Sequence, residues 1–170
     1  ILFSLIVAAS LIILPQCKAQ ALSVGDYFTI RYTASLSQKQ VSGSLPFLLD
    51  ITVEAICKND LPISVSSALI TGSILARNTT TGQSVDLIPS YALDISPFPN
   101  QAGETYRATQ SLILKFPSNC PSGSYSIIGE TIEAKVKAGI WINVTTYLST
   151  GIVFGSIDYS SDTAISRQAK

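Results

Sequence analysis

Leu49-Asp50-Ile51-Thr52-Val53-Glu54-Ala55-Ile56-Cys57 is the stretch that decides the fold. Leu49, Ile51, Val53, Ala55 and Cys57 recur at every second position, with Asp50, Thr52 and Glu54 between them. A period of two belongs to a β-strand, whose successive side chains point to opposite faces. One face of this stretch is therefore expected in a core and the other in water.

The same reading repeats on both sides. Asp26–Ala34 puts Phe28, Ile30 and Tyr32 on one face, and Val65–Arg77 is apolar and β-branched. Asn78-Thr79-Thr80-Thr81-Gly82 is a polar loop ending in Gly, as hairpins use. Gln83–Ile95 reads as a weaker strand interrupted by Pro89. Ser96–Gly103 holds two prolines and a Gly, which mark a loop. Tyr106–Phe116 aligns Tyr106, Ala108, Leu112, Leu114 and Phe116. Pro117–Gly123 is another loop, and Tyr125–Ile128 opens a short strand. Thr131–Lys137 sends Ile132, Ala134 and Val136 inward. Ala138-Gly139 is a tight turn, Ile140–Leu148 completes that hairpin, and Gly151–Tyr159 is the last strand.

No window shows the helical period. Seven to nine evenly spaced short strands predict an all-β fold, an antiparallel sandwich over residues 22–159. A polar tail, 160–170, follows it.

The start of the chain reads differently. Residues 1–14, ILFSLIVAASLIIL, carry no charge; Pro15 and Lys18 follow, then Ala19-Gln20-Ala21. An apolar run before an A-x-A site is the pattern of a secretory signal peptide, and it is too short to span a bilayer. The expected signal segment is 1–21, with Leu22 as the mature start. Leu14-Pro15-Gln16-Cys17 resembles a lipoprotein signal, but Gln16 stands where a small residue is needed. A second reading retains the apolar start, as pilin-like subunits do for their filament core, although Pro15-Gln16-Cys17-Lys18 interrupts it early.

Of the 170 residues, 46% are hydrophobic and 13% charged, and the formal net charge is zero. The usual charged share is about 25%, so the surface leans on Ser, Thr, Asn and Gln. Zero net charge removes the basis for binding nucleic acid, which needs a face rich in Lys and Arg. The chain has no His, which takes away the best general base near neutral pH and the commonest metal ligand.

Pro121-Ser122-Gly123-Ser124-Tyr125-Ser126-Ile127 resembles the run that opens a late strand in secreted prokaryotic immunoglobulin-like domains. It is similar to a tyrosine corner, in which a Tyr at the strand start hydrogen-bonds nearby backbone. The resemblance implies an immunoglobulin-like sandwich and that role for Tyr125. It departs from antibody-type domains in two ways. Ile127 stands where their second Cys would be, and the sole Trp is Trp141, near the end.

Once the leader is removed, Cys57 and Cys120 remain. An even pair in an exported chain suggests a disulfide, the alternative being two free thiols. Such a bridge would close a loop of about 60 residues and stabilise by roughly 4 kcal/mol in the chain-entropy account. Asn78-Thr79-Thr80 and Asn143-Val144-Thr145 are N-glycosylation sequons. Trp141, Asn143 and Tyr147 fall on one face of a strand, with Ile140, Ile142 and Val144 on the other. Trp141 and Tyr147 should thus point outward, where aromatic rings can stack on sugars or cover an adjoining domain. Carboxylates are scattered, and no G-x-S-x-G, calcium loop or C-x-x-C occurs.

These features predict a non-catalytic domain, secreted or on the cell surface, with no cofactor or metal. Adhesion, envelope or filament-subunit work fits it. Its partners would be other surface proteins, copies of itself or glycans, and a membrane only through a retained N-terminal segment. The alternatives are a carbohydrate-binding module using Trp141 and Tyr147, and the pilin-like subunit.

Overall fold

The computed structural model describes residues 24–144 and 151–161. The signal segment, Cys17, Tyr147 and nearly all of the polar tail lie outside them. One helical turn, Val24–Tyr27, leads into nine strands. These are β1 (Phe28–Leu36), β2 (Gln40–Ser42), β3 (Phe47–Cys57), β4 (Ser67–Asn78), β5 (Ser84–Ile95), β6 (Thr105–Leu114), β7 (Gly123–Ala138), β8 (Ile140–Asn143) and β9 (Ile152–Ser160).

Two sheets face each other in a sandwich-like arrangement. The smaller has the order β1-β3-β6, with antiparallel pairing throughout. The larger runs β2-β9-β7-β4-β5, with β8 added to the end of β7. The chain changes sheets between β1 and β2, and β2 then pairs parallel to β9.

The alternation read in β3 is realised in full. Leu49, Ile51, Val53, Ala55 and Cys57 are buried, and Phe47 extends the same face by one more position. Facing them are Ile70, Ile74, Ala76, Ile127, Ala134, Val136, Ile157 and Tyr159 of the larger sheet. At one end Phe116 stacks on Tyr159, with ring centroids 4.4 Å apart, and on Phe47 at 5.7 Å. At the opposite end Phe28 meets Phe98 edge-on at 5.2 Å.

Pro89 does not break β5, because β5 is an edge strand, where a missing N–H costs no ladder bond. The register against β4 shifts just there, between Gly72 and Ile74. The two short strands expected at 125–128 and 131–137 are one strand, β7. It bends at a bulge opposite Thr71 and Gly72, which pair with Glu133 and Thr131. Ile132 is the extra residue of that bulge and stands 54% exposed, not inward as the alternation suggested.

Two glycines make room for aromatic rings. A Cβ on Gly129 would lie 2.3 Å from the Phe154 ring, and one on Gly72 would lie 2.8 Å from the Tyr91 ring. Phe154 and Tyr91 thus lie across the backbone of β7 and β4, where any larger residue would exclude them.

Candidate functional site

The β7–β8 hairpin carries the sequence's principal candidates. Gly139 makes its turn with φ of 74°, a left-handed conformation that favours glycine. That tight turn sets Lys137 opposite Trp141 and Lys135 opposite Asn143. Ile142 and Val144 pack against the core, while Trp141 and Asn143 are exposed. Trp141 therefore points outward as expected, at 48% exposure. Ile140 does not join the inward set; at the hairpin tip it is 64% exposed. The Lys137 ammonium lies 5.9 Å from the centre of the Trp141 ring, within cation–π range. On the adjoining strand Lys135 pairs with Glu133 at 2.8 Å. This face offers one flat ring, two cations and an exposed amide.

Asn78 is a different case, and its place in the fold corrects the expectation that it sits in a loop. It is the last residue of β4 and only 6% exposed. Its Oδ1 accepts the backbone N–H groups of Thr80 and Thr81, both at 2.9 Å, and so shapes the turn that follows. Its amide also hydrogen-bonds Tyr125, and its Nδ2 sits 2.8 Å from where a Cβ on Gly123 would be.

The expected Cys57–Cys120 disulfide is likewise corrected: both are buried free thiols. Cys57 ends β3, and its thiol donates to the Asn59 carbonyl at 3.0 Å. Cys120 lies beside Tyr125, which packs on Phe116 and so on Phe47 at the other end of β3. That strand, eleven residues long, spans roughly 35 Å. A disulfide needs Cα atoms about 4.4–6.8 Å apart. An even count of cysteines carries no information about this separation. Burial pushes the Cys57 thiol above its usual range, and the Glu104 and Asp60 carboxylates add to the effect.

The Tyr125 hydroxyl is fully engaged. It donates to the Pro121 carbonyl at 2.7 Å and accepts from the Cys120 thiol at 3.2 Å and from the Asn78 amide. One donor and two acceptor sites are all that a phenol has. Burial raises its pKa, as expected for a phenol removed from water.

Four carboxylates belong to the scaffold. Glu104 accepts Gln101 N–H and Asn100 N–H on one oxygen, at 2.9 and 2.7 Å, which holds its pKa below the usual carboxylate range. Asp60 caps Ala102 N–H at 2.8 Å. Asp50 and Asp158 take hydroxyls from Ser111 and Ser124, each at 2.5 Å. Asn100 ties Val65 into the same loop through both its N–H and its C=O. An open groove of about 450 Å³ runs past Phe98, Asn100, Glu104 and Tyr106. Asn100 and Glu104 in its wall are already engaged with the loop backbone. Among the described residues no three Cys, Asp or Glu come together as a metal site.

One surface was not singled out from the sequence. On the outer face of the smaller sheet, side chains form rows across β1, β3 and β6: Arg31, Glu54 and Arg107; Thr33, Thr52 and Thr109; Ser35, Asp50 and Ser111. The Thr52 and Thr109 hydroxyls bond at 2.7 Å, while Arg31 and Glu54 make a loose pair at 3.9 Å. The rows end on Leu48 and Ile113, directly opposite one another and 42% and 69% exposed, with Leu45 nearby in sequence at 61%. Alternation alone sets these side chains outward, but only strand order makes them neighbours.

No protein-family model matches the chain, and a comparison with curated proteins finds no match. Solved structures of similar shape have low identity. One is a Northeast Structural Genomics Consortium target, at 12% identity and TM-score 0.39, covering 82% of this chain and 91% of that one. Another is the CARDB domain of a Pyrococcus furiosus protein in complex with di-metal ions, at 10% identity and TM-score 0.37, covering 81% and 97%. A third is a Pseudomonas fluorescens alkylpurine DNA glycosylase bound to DNA, at 10% identity and TM-score 0.39, covering 78% of this chain and 30% of that one. Likeness at this level assigns no activity to the present chain.

Proposed function

We propose that this chain is a non-catalytic, immunoglobulin-like module of a secreted or cell-surface protein, acting by presenting surfaces for adhesion or assembly. The strand order supports the fold reading. β1, β3 and β6 take the places of strands A, B and E; β9, β7, β4 and β5 take those of G, F, C and C′. Tyr125, at the start of the F-like strand, hydrogen-bonds the backbone four residues upstream, as a tyrosine corner does. Ile127, fully buried in the core, stands where an antibody-type domain has its second Cys.

The functional reading rests on the exposed apolar end of the smaller sheet, at Leu45, Leu48 and Ile113. Grouped apolar exposure of this kind marks an interaction surface. The carboxylates of Asp50, Asp60, Glu104 and Asp158 and the thiols of Cys57 and Cys120, by contrast, are held in scaffold contacts, with no His to serve as base. Export rests on the apolar leader and the A-x-A pattern. A photo-crosslinking side chain at Ile113 of the exported chain tests the reading. Capture of an envelope protein or a second copy there, but not from a control at Asp86, supports it; capture from neither position sinks it.

Carbohydrate binding at Trp141 is the second reading, favoured by an exposed ring on the outer face of a hairpin. Glycan-array binding that disappears in Trp141→Ala would support it, and no binding to any sugar would end it.

A further inference from the structure

β6 is an edge strand of the smaller sheet. Its ten residues hold no Pro, no Gly and one charge, Arg107. Its register against β3 runs without a shift from Leu114 to Thr105. A long, regular, nearly uncharged edge is a template for another strand. The larger sheet guards its edges differently: β5 carries Pro89 and a register shift, and β2 is three residues long.

The parity of the hydrogen bonds fixes which β6 groups are open. The Cys57 N–H donates to the Glu104 carbonyl at 2.9 Å, in line with the β3–β6 register. On the other side of β3, the Ser37 N–H donates to the Leu48 carbonyl at 3.0 Å. Odd-numbered β3 residues thus serve β6 and even-numbered ones serve β1, since bonded and non-bonded pairs alternate along an antiparallel ladder. Even-numbered β6 residues therefore bond β3. Thr105, Arg107, Thr109, Ser111 and Ile113 turn their N–H and C=O groups to the open edge.

An antiparallel copy centred on Thr109 uses every one of these groups. It sets Thr109 against the partner's Thr109, Arg107 against the partner's Ser111 and Ile113 against the partner's Thr105. The outer-face rows then continue across the two-fold axis. The Arg31–Glu54–Arg107 row is net positive, and it runs into the partner's Ser35–Asp50–Ser111 row, which is net negative. Arg107 starts two strand spacings, about 9.6 Å, from the partner's Asp50, a gap that a guanidinium and a carboxylate close between them. The exposed Leu48–Ile113 pair meets the partner's Thr105 and half-buried Ile56. Centring on Arg107 instead would set like charges face to face, which is unfavourable. At the sheet's other edge, a β1 pair centred on Tyr32 would set the Arg31 row against the uncharged Thr33 row, with no charge match.

We propose that β6 pairs with β6 of a second copy of this chain, antiparallel about Thr109, joining two three-stranded sheets into one. The same patch serves both copies, as a two-fold dimer requires. This rests on the reading of the Ile113 face as an interaction surface, and it names the partner.

The test is sedimentation of the chain as purified from its host, over a range of concentrations. The wild type is expected to shift reversibly from monomer to dimer mass. Thr109→Pro removes an N–H that serves only the open edge, so it spares the β3 ladder and blocks the partner. It is expected to stay monomeric with a native circular dichroism spectrum. Arg107→Glu is expected to raise the dimer Kd about tenfold, through repulsion at both symmetry-related sites. Adding Asp50→Arg is expected to restore it, a rescue that a folding defect would not give. Thr109→Cys reads the register: opposed Cα atoms of a hydrogen-bonded pair lie about 5.5 Å apart, within disulfide range. Mild oxidation should link the two substituted positions, and Thr33→Cys should stay unlinked. A monomer at every concentration, a dimer indifferent to Thr109→Pro, or no rescue by Asp50→Arg would each overturn the proposal. A monomeric chain that still captures a different protein at Ile113 overturns this pairing and leaves the interaction surface standing. Capture of nothing at Ile113 removes both.

Discussion

Tyr125 donates its hydroxyl to the Pro121 carbonyl at 2.7 Å, closing the loop that carries Cys120 onto the first residues of β7. The same oxygen receives the Cys120 thiol and the Asn78 amide, so a single phenol joins the loop before β7 to the turn after β4. Tyr125→Phe keeps the ring in the aromatic stack and removes only this junction. Leaving buried partners unsatisfied costs about 1–3 kcal/mol. The expected result is a loss of unfolding free energy of that size, read as a lower urea midpoint with an unchanged m-value. An unchanged midpoint would mean that the corner contributes no stability.

Gly129 and Phe154 form a second tight pair. A methyl at Gly129 would fall 2.3 Å from the Phe154 ring, with a second ring carbon at 2.4 Å. Gly129→Ala is expected to destabilise by about 1–3 kcal/mol through overpacking. A smaller loss is expected in the Phe154→Ala background, where the ring is gone. A double-mutant cycle measures the difference, and strict additivity would show that the ring is not the obstacle.

The cysteines give a chemical test. Both are buried free thiols at opposite ends of the sandwich. Alkylation without reductant should leave Cys57 and Cys120 unmodified in the native protein and label both after unfolding. A peptide linking the two by a disulfide would contradict the strand arrangement itself.

How much of this was legible in the sequence depends on the range of each interaction. The alternation at Leu49–Cys57 is local, and it gave the central strand and its buried face. Residues 125–137 read as two strands because the bulge at Ile132 and the Gly129-Glu130 pair interrupt the period of two. β2 spans only Gln40–Ser42, too short to show any period. Asn78 looked like a loop residue because its successors are polar; its burial comes from Tyr125, 47 positions away. The cysteine distance and the neighbouring rows on the outer sheet follow from strand order, which no single stretch of sequence encodes.

Glu104 sets a pH dependence. Two backbone N–H groups hold its carboxyl below the usual range, with Asp60 partly opposing them. A depressed folded pKa contributes stability that is present above the unfolded carboxylate value and is lost as pH falls through the folded one. The thermal midpoint of Glu104→Gln should therefore lie below wild type near neutral pH, with the two converging in acid. A gap that stays constant into strong acid would assign the effect to packing.

The account turns on export, and intact-mass analysis of the chain recovered from the culture medium or surface fraction of its own host measures that most directly. A polypeptide beginning at Leu22, with any added mass accounted for by glycan, is the predicted result. A chain confined to the cytosol that retains residues 1–21 would contradict it; a surface chain that retains them would point instead to the filament-core reading.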